Sequence, residues 1–231
     1  MTQYNFEKIF AYYIYMQKIK ASVNIDITYR CPLQCPFCMR QRKTGKEKIK
    51  KSSDISIEDF KKIVSEYDKF HACGQISDPI YHPNFIEFLK YTYYYPEKKF
   101  KIHTNGSRKS FSWWEEAYSY SNKNTVWVFG IDGVDQETAN KYRVNIDFDS
   151  AFNAMLTGAK LNKNIIWQFI PFKHNEHQIK IAKQISYENG ITLRLLRSNR
   201  WPSSYDLDIK PPSKKYMSTF DNDSIIFSRK K

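Results

Sequence analysis

The chain has 231 residues, 41% hydrophobic and 26% charged, and its 37 Lys and Arg against 24 Asp and Glu leave a net charge of +13. That length suits one domain of roughly 200 to 250 residues, and 17 Tyr, 16 Phe and 5 Trp give bulk enough for a core, which excludes wholesale disorder. With 7 Gly and 9 Pro, collagen-like and low-complexity classes fall away, no apolar run approaches the ~18 residues of a membrane span, and MTQYNFEKIF lacks the basic and apolar regions of a secretory signal.

In chain order, residues 1–22 read as a helical extension, with Ile9, Phe10, Tyr13 and Ile14 on one face. The stretch Val23–Thr28 alternates apolar and polar, as in a strand with two unlike faces. A cysteine-bearing loop follows it. Ser56-Ile57-Glu58-Asp59 reads as an N-cap with an acidic first turn, and Ile57, Phe60, Ile63, Val64 and Tyr67 mark one helical face. Phe70–Ile76 is a second strand, and a helix runs from Pro83 to about Tyr93. Phe100–Thr104 is a third strand closed by Asn105-Gly106, and Ser112-Trp113-Trp114-Glu115 reads as a capping box opening another helix. Val126–Ile131 is a fourth strand, ending at Asp132-Gly133. Residues from about Asp149 to Leu161 are helical, Ile165–Ile170 is a fifth strand, and Glu176–Asn189 is a helix stopped by Gly190. Thr192–Leu196 is a sixth strand, and residues 201–231, rich in Pro, Ser and Lys, read as an irregular tail.

Alternating strands and helices predict parallel βαβ units. Six of them predict an α/β fold, a partial (β/α)6 barrel over residues 23–200. In such folds chemistry sits at the C-terminal strand ends. The cysteines follow the first strand, Ser77-Asp78 the second, Thr104-Asn105 the third and Asp132 the fourth.

Three of the four cysteines fall within eight residues, as Cys31-x3-Cys35-x2-Cys38. A disulfide scaffold would spread its cysteines, so the cluster predicts a metal site in a reducing, cytoplasmic compartment. A structural zinc ion needs four ligands, which Cys73 or His71 would complete. A four-iron cluster held by three cysteines leaves one iron open for chemistry.

The spacing resembles the signature of the radical S-adenosylmethionine (radical SAM) superfamily, C-x3-C-x-aromatic-C, matched by Cys31, Cys35, Phe37 and Cys38. Gly74-Gln75-Ile76-Ser77-Asp78-Pro79 stands where that family carries Gly-Gly-Glu-Pro. His103-Thr104-Asn105-Gly106 resembles its Thr-Asn-Gly, and Gly130-Ile131-Asp132-Gly133 its Ser-x-Asp-Gly. The resemblance implies one [4Fe-4S] cluster on Cys31, Cys35 and Cys38, whose open iron chelates S-adenosylmethionine. One electron, from a donor such as a flavodoxin or ferredoxin, would release a 5′-deoxyadenosyl radical that abstracts hydrogen from a substrate. It also implies cofactor contacts. Phe37 would lie near the adenine, Ser77 and Asp78 at the methionine ammonium, Gly130 and Asp132 at the ribose, and Arg143 at the methionine carboxylate, with Thr104 and Asn105 beside them. No cysteine follows Cys73, so an auxiliary-cluster extension is not expected.

Each of these residues has a plainer reading. Asp78 would cap the next helix, Asn105-Gly106 would be a tight turn, and Arg143 a surface charge. Cys73 is a candidate hydrogen-atom donor, or a small buried hydrophobe. Arg40–Lys51 holds seven basic residues and one acid. It is either a solvated loop or an overhang that draws in an anionic substrate, joined by Arg194, Arg197, Asn199 and Arg200. Because 28 of the basic residues are Lys and 9 are Arg, the excess also fits a compositional bias. The competing class is a non-enzymatic, zinc-bound, basic module that binds nucleic acid.

Overall fold

The computed structural model describes residues 22–198, 201, 209–217 and 224–228. Seven strands form one sheet in chain order: β1 (Ser22–Ile25), β2 (Lys69–Cys73), β3 (Lys99–Thr104), β4 (Thr125–Gly130), β5 (Asn164–Phe169), β6 (Thr192–Leu196) and β7 (Ser224–Phe227). The first six are parallel, β7 runs antiparallel to β6, and the two edges do not pair. This is the open, partial barrel expected.

Side chains on each strand alternate between two environments. One row, including Phe70, Phe100, Ile102, Trp127, Phe129, Trp167, Phe169 and Leu193, is buried against the helices. These helices are α1 (Lys43–Lys51), α2 (Ile57–Glu66), α3 (Phe85–Tyr93), α4 (Phe111–Ser119), α5 (Gln136–Tyr142), α6 (Phe148–Lys160) and α7 (Ile179–Glu188), followed by the single turn α8 (Lys214–Met217). Phe60 of α2 stacks on Phe88 of α3, with ring centroids 4.2 Å apart, and Trp114 of α4 meets Trp127 of β4 edge-on at 5.4 Å. Ring packing of this kind adds to the area term and fixes which helix covers which strand.

The opposite row carries Asn24, His71, Cys73, Lys101, His103, Gln168 and Arg194, with Val126, Val128 and Ile166 between them on β4 and β5. The sheet curls, because Arg194 of β6 acts electrostatically on Lys101 and His103 of β3, three strands away. This row therefore lines a concave face.

Four expectations change. The helix at 111–119 is capped by Ser110, whose Oγ accepts from Trp113 N at 3.2 Å, and not by Ser112. The basic stretch is no loop, because residues 43–51 are helical. Helix α5 has no counterpart in the sequence reading; Asp135 caps it, accepting from Thr138 N at 2.8 Å. The tail is not wholly irregular, because β6 offers an unpaired edge that residues 224–227 fill. The helical extension and Asn199 and Arg200 lie outside the described residues.

Candidate active site

The cysteine loop leaves β1 and is clamped on both sides. Before it, the Arg30 guanidinium pairs with Asp54, which also accepts from Thr28 Oγ1 at 2.6 Å. After it, Arg40 Nη1 donates to Tyr29 O at 2.5 Å and Ile76 O at 2.8 Å, so this arginine braces the loop base. Gln34 N donates to Val144 O at 3.0 Å and Cys38 N to Cys35 O at 3.2 Å. Phe37 has φ +62°, a left-handed conformation that costs a non-glycine residue roughly 1–2 kcal/mol. Its ring packs against the cluster of Tyr142, Ile170, Phe172 and Ile209.

The three thiols reach three different strand ends. Cys38 Sγ lies 3.8 Å from Gln75 O after β2, and Cys31 Sγ lies 3.9 Å from Asn105 Nδ2 after β3. Cys35 lies beside Arg143, the C-cap of α5, whose guanidinium is tied to Asp132 just after β4. All are free thiols. Burial pushes the Cys31 thiol up to about 12 and raises Cys35 as well. Buried thiolates need a compensating cation, so this donor set suits a metal centre.

The loop after β2 is shaped by a glycine and an aspartate. A Cβ on Gly74 would stand 1.6 Å from Ser77 O, so only glycine allows this turn. Asp26, just past β1, accepts from Gln75 N at 3.3 Å and Ser77 Oγ at 2.6 Å. The Asp78 carboxylate is buried. Its Oδ2 accepts from Thr104 Oγ1 at 3.1 Å, from Asn105 N at 2.7 Å and from Asn105 Nδ2, while Oδ1 accepts from Ile80 N at 3.3 Å. Burial raises its pKa to about 6 against these bonds. Asp78 therefore caps the following turn and holds Asn105 beside Cys31.

Asp132 and Arg143 form a pair behind Cys35. Arg143 Nε donates to Asp132 Oδ2 at 2.6 Å, and Ile170 N donates to Oδ1 at 2.6 Å. Arg143 is thus no surface charge. A Cβ on Gly130 would stand 2.8 Å from Arg143 Nη2, so the glycine makes room for the guanidinium. Cys73 ends β2 on the concave face, in register with His103.

A family profile described as the radical SAM superfamily matches residues 25–183. The chain belongs to the radical SAM superfamily. It is an enzyme, and membership brings a [4Fe-4S] cluster, S-adenosylmethionine and the need for a reductant. The zinc-module alternative falls with it. Among the described residues, no three His, Cys, Asp or Glu side chains group around one ion. In a cuboidal cluster each thiolate takes a separate iron, and three free cysteines on one loop suit that demand.

No curated protein sequence matches this radical SAM chain. Among solved structures, Streptococcus suis SuiB overlays with a TM-score of 0.64 at 15% identity, over 94% of this chain and 49% of that one. SuiB bound to S-adenosylmethionine gives 0.58 at 15% identity, over 74% and 37%. anSMEcpe with bound AdoMet gives 0.51 at 15% identity, over 71% and 47%. These likenesses show the fold alone, and the chain spans about half or less of each of those proteins. Among the described residues no helix is long and apolar enough to cross a membrane.

The predicted cysteines and several of the strand-end residues lie near one another, whereas Asp26, Asp54 and the braces at Arg30 and Arg40 carry no mark in the sequence. Arg30 and Asp54 are 24 positions apart and Asp26 and Ser77 are 51 apart, so no local pattern marks either pair.

Proposed function

We propose that Cys31, Cys35 and Cys38 hold the [4Fe-4S] cluster and that the surrounding strand ends seat S-adenosylmethionine over it. When bound, these cofactors supply a 5′-deoxyadenosyl radical after one-electron reduction by a donor such as a flavodoxin or ferredoxin. The chain's own residues bind and orient. Asp132 occupies Arg143 Nε and leaves the terminal nitrogens to serve Cys35 and the methionine carboxylate. Ser77 gives its proton to Asp26 and keeps its lone pairs for the methionine ammonium. Asp78 acts indirectly, through Thr104 and Asn105. Phe37 offers an aromatic face for the adenine, and the Gly130 backbone lies at the ribose. Helix α1 and Arg40 cover the cysteine loop, where Cys31, Arg40, Lys46 and Ile49 line a cavity of about 250 Å³.

The substrate's hydrogen would be taken above the concave face, where burial holds the Cys73 thiol protonated, as hydrogen-atom return requires. A reducing, cytoplasmic compartment keeps such thiols free. The observation that carries this reading is the spread of three thiols from one loop over the ends of β2, β3 and β4.

Anaerobic reconstitution tests it. Near four iron and four sulfide per chain are expected, with 5′-deoxyadenosine formed on reduction, and Cys38→Ala is expected to abolish both. Colourless protein holding one zinc would sink the reading.

A further inference from the structure

The concave face carries two cations that no carboxylate among the described residues neutralises. Lys101 of β3 and Arg194 of β6 project from that face, and the curl of the sheet brings them within electrostatic reach of each other. Each is half-buried. No carboxylate acts on either among the described residues: Arg194 feels only burial, and Lys101 feels burial, then Arg194, with Cys73 opposing. Arg194 spends one terminal nitrogen on Gln168, its register partner on β5. Its Nε is buried with no hydrogen-bond partner. Leaving a buried charged donor unmade is costly, and two like charges side by side add repulsion. A fold keeps such an arrangement where something else completes it.

Two imidazoles flank the cations. His71 pairs in register with Lys101, and His103 follows two residues later on the same face. Burial, then Arg194, Lys101 and His71, push His103 down to about 3, so it stands neutral and offers one N–H without adding charge.

We propose that Lys101, Arg194 and His103 form a subsite for a doubly negative oxyanion group on the substrate, either a phosphate monoester or a dicarboxylate. Two uncompensated positive charges match a double negative charge, and Arg194 Nε, Lys101 Nζ and an imidazole N–H supply separate donors. The placement also orients the substrate. Lys101 and His103 precede Asn105, the neighbour of Cys31, by four and two residues, or about 13 and 7 Å at ~3.3 Å per residue. Arg194, level through Gln168 with Gly130, stands nearer the cysteine end, so the anion would lie along the barrel wall between the two levels and leave the rest of the molecule to reach that end. This inference rests on the radical SAM reading above and names the substrate class for that same site.

Anaerobic calorimetry on the cluster-loaded enzyme tests it, with S-adenosylmethionine present and unreduced so that its own carboxylate site is filled. Inorganic phosphate and malonate are the probes. One-to-one saturable binding is expected, weakened at least tenfold in Lys101→Gln/Arg194→Gln. The exposed pair Lys160→Gln/Lys180→Gln, which removes as much charge, should leave it unchanged. Tighter phosphate identifies a phosphate ester, and tighter malonate a dicarboxylate. Either single replacement serves if the double variant does not fold. Failure of the wild type to bind both anions overturns the proposal, as does equal weakening in both double variants. Iron and sulfide are assayed on the same samples: a full cluster with no anion binding refutes this subsite alone, and no cluster refutes the reading beneath it.

Discussion

Arg143→Met is the perturbation that most directly probes how the site is built. Asp132 is 0% exposed, and in the wild type its two oxygens take one bond each, from Arg143 Nε and Ile170 N. Removing the guanidinium leaves a buried carboxylate with one donor. Breaking a buried pair from one side costs about 3–5 kcal/mol, and the surviving Ile170 bond puts the loss here near 3 kcal/mol. In a domain of this size that lowers Tm by about 6–12 °C. Urea unfolding under argon, followed by circular dichroism on protein without a cluster, measures the loss apart from any metal contribution. Arg143→Met/Asp132→Asn removes the stranded charge while keeping an acceptor for Ile170 N, so the double variant should be more stable than the single one. A loss below about 1 kcal/mol for Arg143→Met, with no gain from the second change, would mean that the pair is solvated. The account of Asp132 as the anchor for Arg143 would then be wrong.

Two further outcomes follow from the same geometry. Gly130→Ala places a methyl group 2.8 Å from Arg143 Nη2, so the guanidinium must move; iron content should stay at the wild-type level while S-adenosylmethionine affinity falls about tenfold, roughly one charge-assisted hydrogen bond, and unaltered affinity would show that Arg143 does not face the cofactor. His103, neutral in the fold down to about pH 3 against 6.5 in the free side chain, refuses a proton that the unfolded chain accepts. Its contribution is therefore complete above pH 6.5 and is lost as the pH falls, by about 2 kcal/mol between pH 7 and 5. His103→Gln should flatten the urea-stability profile by that amount over that interval, and a profile parallel to the wild type would contradict the burial assigned to this ring.

The six parallel strands were legible because each sends large apolar side chains to one face, so alternation and turn residues carry the signal. The third and sixth end where the sequence places them, at Thr104 and Leu196, but the first two do not. The first two strands stop at Ile25 and Cys73, short of the predicted Thr28 and Ile76, because Asp26 turns out of the ladder to take Gln75 N and Ser77 Oγ. Helix α1 was hidden by its lysines, and its packing depends on Gly45, where a Cβ would stand 1.9 Å from Met39 O. Helix α5 is short and polar, and only the Asp135 to Thr138 spacing signalled its start. Strand β7 has no local alternation and exists because β6 offers it an edge.

The same division governs the site. A thiol trio announces itself by spacing, since one short loop must wrap one centre. A carboxylate does not, because its role is set by the groups that donate to it. The donors to Asp78 Oδ2 lie 26 and 27 positions along the chain, and the Ile170 donor to Asp132 lies 38 positions away. Asp78 and Asp132 stand at equivalent strand ends, yet one is consumed by a turn and the other is spent on an arginine. The distinction arises from what folding sets beside each carboxylate: Thr104 and Asn105 at Asp78, and Arg143, given room by Gly130, at Asp132. Residue identity at a strand end therefore names a candidate, and the hydrogen-bond inventory of the folded chain decides whether that group meets a ligand or holds one that does.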